Sequence, residues 1–267
     1  MGFIDQNRKL YYRFRRRFAH VADTVSDKYP EIVGAFARDG SVIADVGGGA
    51  QCAFAQQCRN SHIVALDISA AELGRNHDVE DRRVADVTRH MPLPDFSCDI
   101  VASRYVVEHL RGVERFAEES YRVLKPGGVF ITLFPNRNAP FSLINRALSV
   151  SAARKVAYAL KEEAARWDVF PAYYEYCSPG VFRRLLESKG FTSVDVKVTY
   201  SQSTYYSFFF PLALLVLCYE WILARLNLTA LSAHVLVCAK KPLPAGEQNS
   251  SQRQFQQQSM VASDVVA

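Results

Sequence analysis

Short apolar runs recur along the first half of the chain, at intervals that leave room for a helix between them. Five of them are rich in β-branched residues without polar alternation: SVIADV (41–46), HIVALDI (62–68), RRVADV (82–87), DIVASRY (99–105) and VFITLF (129–134). Such runs are typical of strands that are covered on both faces, as in a parallel sheet. Segments of helical character, such as 71–77 and 113–124, lie between them. The alternation predicts an α/β fold with right-handed crossovers.

The second half of the chain adds two strand-like runs, VDVKVTY (194–200) and HVLVCAKK (234–241). With them the pattern predicts a doubly wound, mostly parallel sheet of seven strands. LKPGG at 124–128 is typical of a turn, because proline restricts the backbone and glycine permits positive φ. Ser178 and Pro179 predict the start of a helix, and Gly190 predicts its end.

An apolar stretch interrupts the pattern before the last strand, at residues 203–233. Its uncharged core, from Phe208 to Tyr219, is shorter than the roughly 20 residues that a membrane-spanning helix needs. We expect one or two apolar helices here. Three roles stay open for them: covering a ligand site, pairing two subunits, or dipping into a bilayer surface.

These features predict a division of the chain into four parts. A basic helical segment covers 1–38, and the α/β domain covers 39–202 and 234–242, with a less regular cap at 135–177. The apolar helical insertion is 203–233. Because residues 243–267 are rich in Gln and Ser, we predict that this tail is disordered.

Composition excludes several classes of protein. The chain has 267 residues, 49% of them hydrophobic, and a net charge of +5, which is too mild to require nucleic acid as a partner. Its six cysteines form no CxxC pair and no cluster with histidine, so we expect neither a disulfide framework nor a metal site. The N-terminus lacks the apolar core of a signal peptide, which favours a cytoplasmic location.

A basic cluster lies within the N-terminal helical segment: Arg8, Lys9, Arg13, Arg15, Arg16 and Arg17. Two interpretations stay open. The cluster is either a solvated helix face or a contact with phosphate or an anionic membrane surface. A contact with an anionic membrane surface would make this a peripheral membrane protein, bound to the inner face of the membrane.

The stretch VIADVGGGAQC, at 42–52, places a carboxylate and three glycines at the end of the first strand. Glycine lets the backbone approach a ligand closely, so a strand, a glycine loop and a helix in that order suit a nucleotide-like ligand. The dinucleotide fingerprint G-x-G-x-x-G requires a third glycine where this chain has Cys52. This mismatch disfavours a dehydrogenase.

The pattern D-x-G-x-G, by contrast, is matched by residues 45–49, and here the chain resembles the class I S-adenosylmethionine-dependent methyltransferases. The resemblance is to their small-molecule, type 11-like branch. Further motifs follow in the order of that family: IVALDIS, VADVTRHMPLPDFSCDIV, RYVVEHL and RVLKPGGVF. The resemblance covers about residues 40–134 and extends more weakly to residue 200.

The resemblance implies S-adenosylmethionine as cofactor and a role for each matching residue. Asp45 would pair with the cofactor's ammonium group, while Gly47 and Gly49 give clearance for the backbone. Asp67, followed by Ile68, would accept both ribose hydroxyls, because a carboxylate has two oxygens for that contact. The remaining expected contacts are those of Asp86 and Val87 with the adenine, and of Arg104 and Tyr105 with the methionine end.

Candidates for a general base are weaker: His109, Glu108, and the tyrosines of WDVFPAYYEYCSP, chiefly Tyr173 and Tyr174. A base is needed only where the acceptor is a hydroxyl or an acidic carbon. His109 can equally serve the architecture of the turn, and the tyrosines can equally pack the cap onto the sheet.

The sequence therefore predicts an enzyme that transfers a methyl group to a small or lipid-like acceptor by in-line displacement. Two alternatives stay open. One is an RNA methyltransferase, which the basic N-terminal helix favours and the lack of an RNA-binding module disfavours. The other is a membrane-associated protein that binds the cofactor without turnover.

Overall fold

A sheet of seven strands in the order β3-β2-β1-β4-β5-β7-β6 forms the centre of the computed structural model, which describes residues 2–16, 25–148, 170–244 and 255. The strands are β1 Val42–Val46, β2 His62–Asp67, β3 Asp81–Val84, β4 Cys98–Arg104, β5 Leu124–Pro135, β6 Thr192–Thr199 and β7 His234–Lys240. Strands β1 to β5 pair in parallel, and β7 runs antiparallel to both of its neighbours. The predicted doubly wound, mostly parallel sheet is confirmed.

Helices flank the sheet on both faces. In the described residues they are α1 Phe3–Arg15, α2 Val25–Phe36, α3 Ala70–Gly74, α4 Val113–Val123, α5 Pro140–Ala147, α6 Pro179–Ser188 and α7 Phe210–Arg225. Proline occupies the first turn of α5, α6 and α7, where no backbone donor is needed. Gly190, with φ of 91°, follows the end of α6 as predicted.

Neighbouring residues of a strand face opposite apolar clusters. On β1, Ala44 packs with Phe116 of α4 and Phe182 of α6, whereas Ile43 packs with Ile32 of α2 on the other face. All of these side chains are fully buried. Burial on both faces explains why the strands appear in the sequence as continuous apolar runs.

Three local expectations are wrong. Strand β5 begins at Leu124, so LKPGG is not a free turn: the Gly127 N–H donates to Lys241 O at 2.9 Å, and its φ of 81° accommodates an irregularity in the strand. Strand β3 ends at Val84, three residues earlier than predicted. Residues 53–60 form successive turns instead of a helix after the glycine loop.

The N-terminal helix packs against the apolar segment that precedes β7. Asn7 Oδ1 accepts the N–H of Phe210 at 2.8 Å, and the Tyr11 hydroxyl lies 2.8 Å from that of Ser203. Glu220 of α7, fully buried, accepts the Ser203 hydroxyl and the backbone N–H groups of Gln202 and Ser203. Burial raises its pKa to about 7. This network fixes the position of α1 on α7.

The apolar helix α7 has 16 residues. No helix in the described part of the chain is both long enough and apolar enough to cross a bilayer.

Two expectations fall largely on other parts of the chain. Of the cap predicted at 135–177, residues 149–169 lie outside the described residues. The predicted disordered tail also lies outside them, except for Leu243, Pro244 and Phe255. The buried ring of Phe255 lies 5.6 Å from that of Phe36.

Candidate active site

The carboxyl ends of β1, β2 and β4 meet at one edge of the sheet, where Val46 pairs with Leu66 and with Ser103. Asp45 lies there, 6% exposed, and burial raises its pKa to about 7. The neighbouring Cys52 thiol and the positive charge of Arg104 lower the pKa and so act in the opposite direction to burial. Within the described residues, Asp45 Oδ2 has no hydrogen-bond partner. A buried carboxylate oxygen of this kind calls for a donor from a ligand.

The glycine loop follows directly. Gly47 has φ of 73° and Gly49 φ of 36°, a region that residues with a side chain rarely adopt. A Cβ on Gly47 would lie 2.2 Å from Cγ2 of Val106, so the loop and the segment after β4 approach each other as only glycine permits. Gln51 has no positive φ, so its side chain imposes no backbone strain.

Asp67 connects this loop to the end of β2. Its Oδ2 accepts the N–H of Gly49 at 3.1 Å, and its Oδ1 accepts the N–H of Ser69 at 2.8 Å. Ile68 follows with 60% of its surface exposed. Each carboxylate oxygen can accept a second hydrogen bond, so the pair of oxygens stays available to two hydroxyl groups.

Asp86 lies beyond the end of β3 and closes a turn. Its Oδ1 accepts the N–H of Thr88 at 3.0 Å, and its Oδ2 lies 3.2 Å from Nε of Arg89. Val87 is buried in the core. The local contacts give Asp86 a structural function, and its predicted contact with adenine stays a prediction.

The backbone at the end of β4 is constrained. Arg104 is exposed, and its charge acts on Asp45. Tyr105 has φ of 60°, and its N–H donates to Leu133 O at 2.7 Å. Such a conformation in a non-glycine residue persists only where the surroundings hold it, which is typical of functional sites.

Comparisons with known proteins agree with this geometry. The family described as "Methyltransferase domain" matches residues 44–132. A probable S-adenosylmethionine-dependent methyltransferase of Mycolicibacterium smegmatis is 51% identical over 47 residues, 18% of each chain. A ubiquinone/menaquinone biosynthesis C-methyltransferase of Methylobacterium nodulans is 28% identical over 152 residues, 50% of this chain and 57% of that protein.

The chain contains a class I S-adenosylmethionine-dependent methyltransferase domain. This confirms the predicted family and cofactor. A solved SAM-dependent methyltransferase from Archaeoglobus fulgidus shares the fold, with a TM-score of 0.53 and 17% identity over 86% of this chain and 99% of that one. The matched segments span less than two thirds of the length of both curated relatives.

The methyltransferase domain fits its cofactor at the glycine loop. S-adenosylmethionine carries an ammonium group and ribose hydroxyls but no phosphate. The Cys52 N–H, which a phosphate would otherwise attract, donates to Asp78 Oδ2 at 3.0 Å. Asp45 Oδ2 and the oxygens of Asp67 are acceptors, which suit an ammonium group and two hydroxyls. The roles of the individual residues remain predictions.

Two residues beside the glycine loop and Asp45 escape prediction from sequence. Asn76 is fully buried, and its Nδ2 donates to the carbonyl oxygens of Gly48 at 2.9 Å and Gly49 at 3.2 Å, so it fixes the shape of the loop. Tyr29 of α2 is also fully buried, and the charge of Asp45 adds to the effect of burial in raising its pKa. Both lie far from the motif in sequence, and no local pattern marks them.

The predicted base candidates of the methyltransferase domain have different environments. His109 Nδ1 lies 2.9 Å from Pro171 O, and burial lowers the pKa of this histidine. Tyr173 lies under the Arg111 guanidinium at 4.2 Å from the ring centre. The hydroxyl of the buried Tyr174 accepts Asn145 Nδ2 at 3.0 Å. Each has a structural contact, and the assignment of a base to any of them stays a prediction.

Proposed function

We propose that the protein transfers the methyl group of S-adenosylmethionine to a small or lipid-like acceptor. The observation that carries this proposal is the buried Asp45 carboxylate, which lies beside the glycine loop and has an oxygen without a partner in the described residues. The cofactor supplies a methyl group that is already electrophilic on its sulfonium. The protein therefore has to hold the cofactor, orient the acceptor and exclude water.

Titration of the purified protein with S-adenosylhomocysteine tests the proposal by calorimetry, with NAD as the matched control. We expect one-to-one binding of S-adenosylhomocysteine with a Kd on the order of micromolar, and no heat with NAD. Binding of NAD alone, or of neither compound, would contradict the proposed function.

A lipid-like acceptor is favoured by the surface formed by α1 and α7. Helix α7 carries only two charged residues, Glu220 and Arg225. The exposed apolar residues on it and directly after it include Leu215, Ile222 and Leu226, which are 67%, 47% and 61% exposed. Trp221 is 46% exposed beside them. A relative matched over half of this chain is named for quinone biosynthesis.

Basic side chains lie on the neighbouring helix. Lys9, Arg13 and Arg16 are exposed on or directly after α1, which contacts α7. Exposed apolar and aromatic side chains next to basic ones are typical of helices that bind the surface of an anionic membrane. We therefore propose that residues 1–38 and 203–233 together dock the protein peripherally on such a membrane.

Vesicle flotation measures this contact. The triple change Lys9→Ala, Arg13→Ala, Arg16→Ala is expected to weaken binding to phosphatidylglycerol vesicles by about two orders of magnitude, since each basic residue contributes roughly 1 kcal/mol. The control removes the same charge elsewhere, through Arg59→Ala, Arg183→Ala and Arg184→Ala, and should leave binding unchanged. Equal losses in both variants would indicate attraction by net charge alone.

A further inference from the structure

Helix α2 buries a stripe of side chains against the sheet, and one of them carries a hydroxyl group. The members of the stripe recur at intervals of three and four residues: Val25, Tyr29, Ile32, Val33 and Phe36. The Tyr29 ring centre lies 6.3 Å from that of Phe54, in the turns that follow the glycine loop. The ring therefore packs as a core residue does, next to the segment that forms the candidate cofactor site.

The Tyr29 hydroxyl has no hydrogen-bond partner among the described residues, although the residue is fully buried. Buried tyrosine hydroxyls usually have a partner, because removing such a group from water without one costs free energy. Burial and the charge of Asp45 raise the pKa of Tyr29 well above its usual value, so the hydroxyl keeps its proton near pH 7. The structure therefore holds a buried hydrogen-bond donor that no described group accepts.

Asp45 provides an independent indication of a ligand. Its Oδ2 is also buried and has no hydrogen-bond partner in the part of the chain that the structure describes. The Tyr29 hydroxyl therefore does not donate to it, even though the charge of Asp45 acts on Tyr29. The positive charge of Arg104, the last residue of β4, acts on both side chains. A buried acceptor, a buried donor and a cation are thus coupled electrostatically beside the glycine loop.

These three groups complement the amino-acid end of the cofactor. The methionine portion of S-adenosylmethionine carries an ammonium group and a carboxylate on the same carbon atom. An ammonium group only donates hydrogen bonds, so it suits the Asp45 carboxylate, whereas a carboxylate only accepts them and suits a hydroxyl and a guanidinium. The charge of Arg104 opposes the binding of an ammonium group alone. The arrangement therefore favours a ligand that brings a carboxylate together with its ammonium group.

We propose that the Tyr29 hydroxyl and the Arg104 guanidinium bind the carboxylate of the cofactor's methionine portion, so that the protein discriminates against a cofactor without this group. The inference rests on the proposed methyl transfer only through the identity of the cofactor, and it gives Tyr29 a binding role. Holding both charged groups of one carbon atom restricts rotation of the methionine chain. This restriction helps to orient the sulfonium and its methyl group toward the acceptor.

Calorimetric titration with two ligands tests the inference. One is S-adenosylhomocysteine, and the other is its decarboxylated analogue, which keeps the adenosine and the ammonium group but lacks the carboxylate. We expect the wild type to bind the analogue at least about tenfold more weakly, the loss typical of one hydrogen bond to a charged group. Tyr29→Phe and Arg104→Gln should each weaken the binding of S-adenosylhomocysteine by about tenfold to a hundredfold. Neither change should weaken binding of the analogue, which lacks the group that they contact.

Unfolding in urea without ligand separates this binding role from a structural one. Tyr29→Phe removes a buried donor without a described partner, so the variant should unfold at the same urea concentration as the wild type or at a higher one. The matched control is Tyr121→Phe, since Tyr121 packs against Phe191 in the apolar cluster on the other face of the sheet. This control should leave the affinity for both ligands unchanged.

The inference is overturned if the wild type binds both ligands equally. It is also overturned if Tyr29→Phe and Arg104→Gln lower the affinity for S-adenosylhomocysteine no more than the affinity for the analogue. Unfolding of Tyr29→Phe at a lower urea concentration would show that the hydroxyl has a structural partner, and this too contradicts the binding role. Failure of S-adenosylhomocysteine to bind the wild type would instead contradict the proposed function, because this titration comes first.

Discussion

Replacing Asp67 with alanine is expected to weaken the binding of S-adenosylhomocysteine by about two orders of magnitude or more. On the predicted assignment, the change removes two charge-assisted hydrogen bonds to the ribose, each contributing roughly 1.5–3 kcal/mol. It also releases the N–H of Gly49, which Asp67 Oδ2 accepts at 3.1 Å in the structure. Calorimetric titration of wild type and variant at the same pH measures the effect.

The matched control for this change is Asp39→Ala. Asp39 is exposed and accepts Asn60 Nδ2 at 2.9 Å, away from the cofactor loop. Its loss should leave the affinity unchanged. If Asp67→Ala also binds with unchanged affinity, the ribose assignment is wrong, and the carboxylate has only the local function of holding the loop.

Gly47→Ala is expected to destabilise the folded protein by about 2–5 kcal/mol. A left-handed conformation costs a residue with a side chain roughly 1–2 kcal/mol, and overpacking adds roughly 1–3 kcal/mol. Both apply here, because φ is 73° and the new Cβ would lie 2.2 Å from Cγ2 of Val106. Urea unfolding followed by circular dichroism measures the change in the free energy of unfolding.

Substitutions at two other glycines separate the cost of the left-handed conformation from the cost of overpacking. Gly40 has φ of 79° but no atom within 4 Å of a built Cβ, so Gly40→Ala should show the conformational cost alone. Gly74 is helical, with no positive φ and equal space, so Gly74→Ala should stabilise by up to about 1 kcal/mol. If Gly47→Ala lowers the free energy of unfolding no more than Gly40→Ala does, the close contact with Val106 adds no destabilisation, and the predicted overpacking is wrong.

The parts of the fold that depend on local pattern could be predicted from the sequence. Strands β1, β2 and β4 are continuous apolar runs, and Asp45 and Asp67 mark their ends. Because a parallel sheet brings these ends to one edge, the order of the motifs predicts that Asp45 and Asp67 lie at the same edge, where the structure has them.

The remaining parts depend on contacts between distant segments. The β5 strand extends back to Leu124 because its backbone pairs with residues near Lys241, which no local propensity reveals. The sequence indicates His234 only as the start of a strand, because its approach to Tyr105 requires β7 to run antiparallel. Asn76 reaches the glycine loop from beyond α3, in a segment without a motif.

The position of β7 determines when the sheet can be completed during synthesis. Among the described strands it is the last in sequence, yet it lies between β5 and β6. Strand β6 pairs with β7 alone among these strands, and helix α1 packs against a helix about 200 residues later. The pairing of β6 and the packing of α1 can therefore form only after the later segments α7 and β7 have been synthesised. A nascent chain that stops before residue 234 lacks the strand with which β6 pairs.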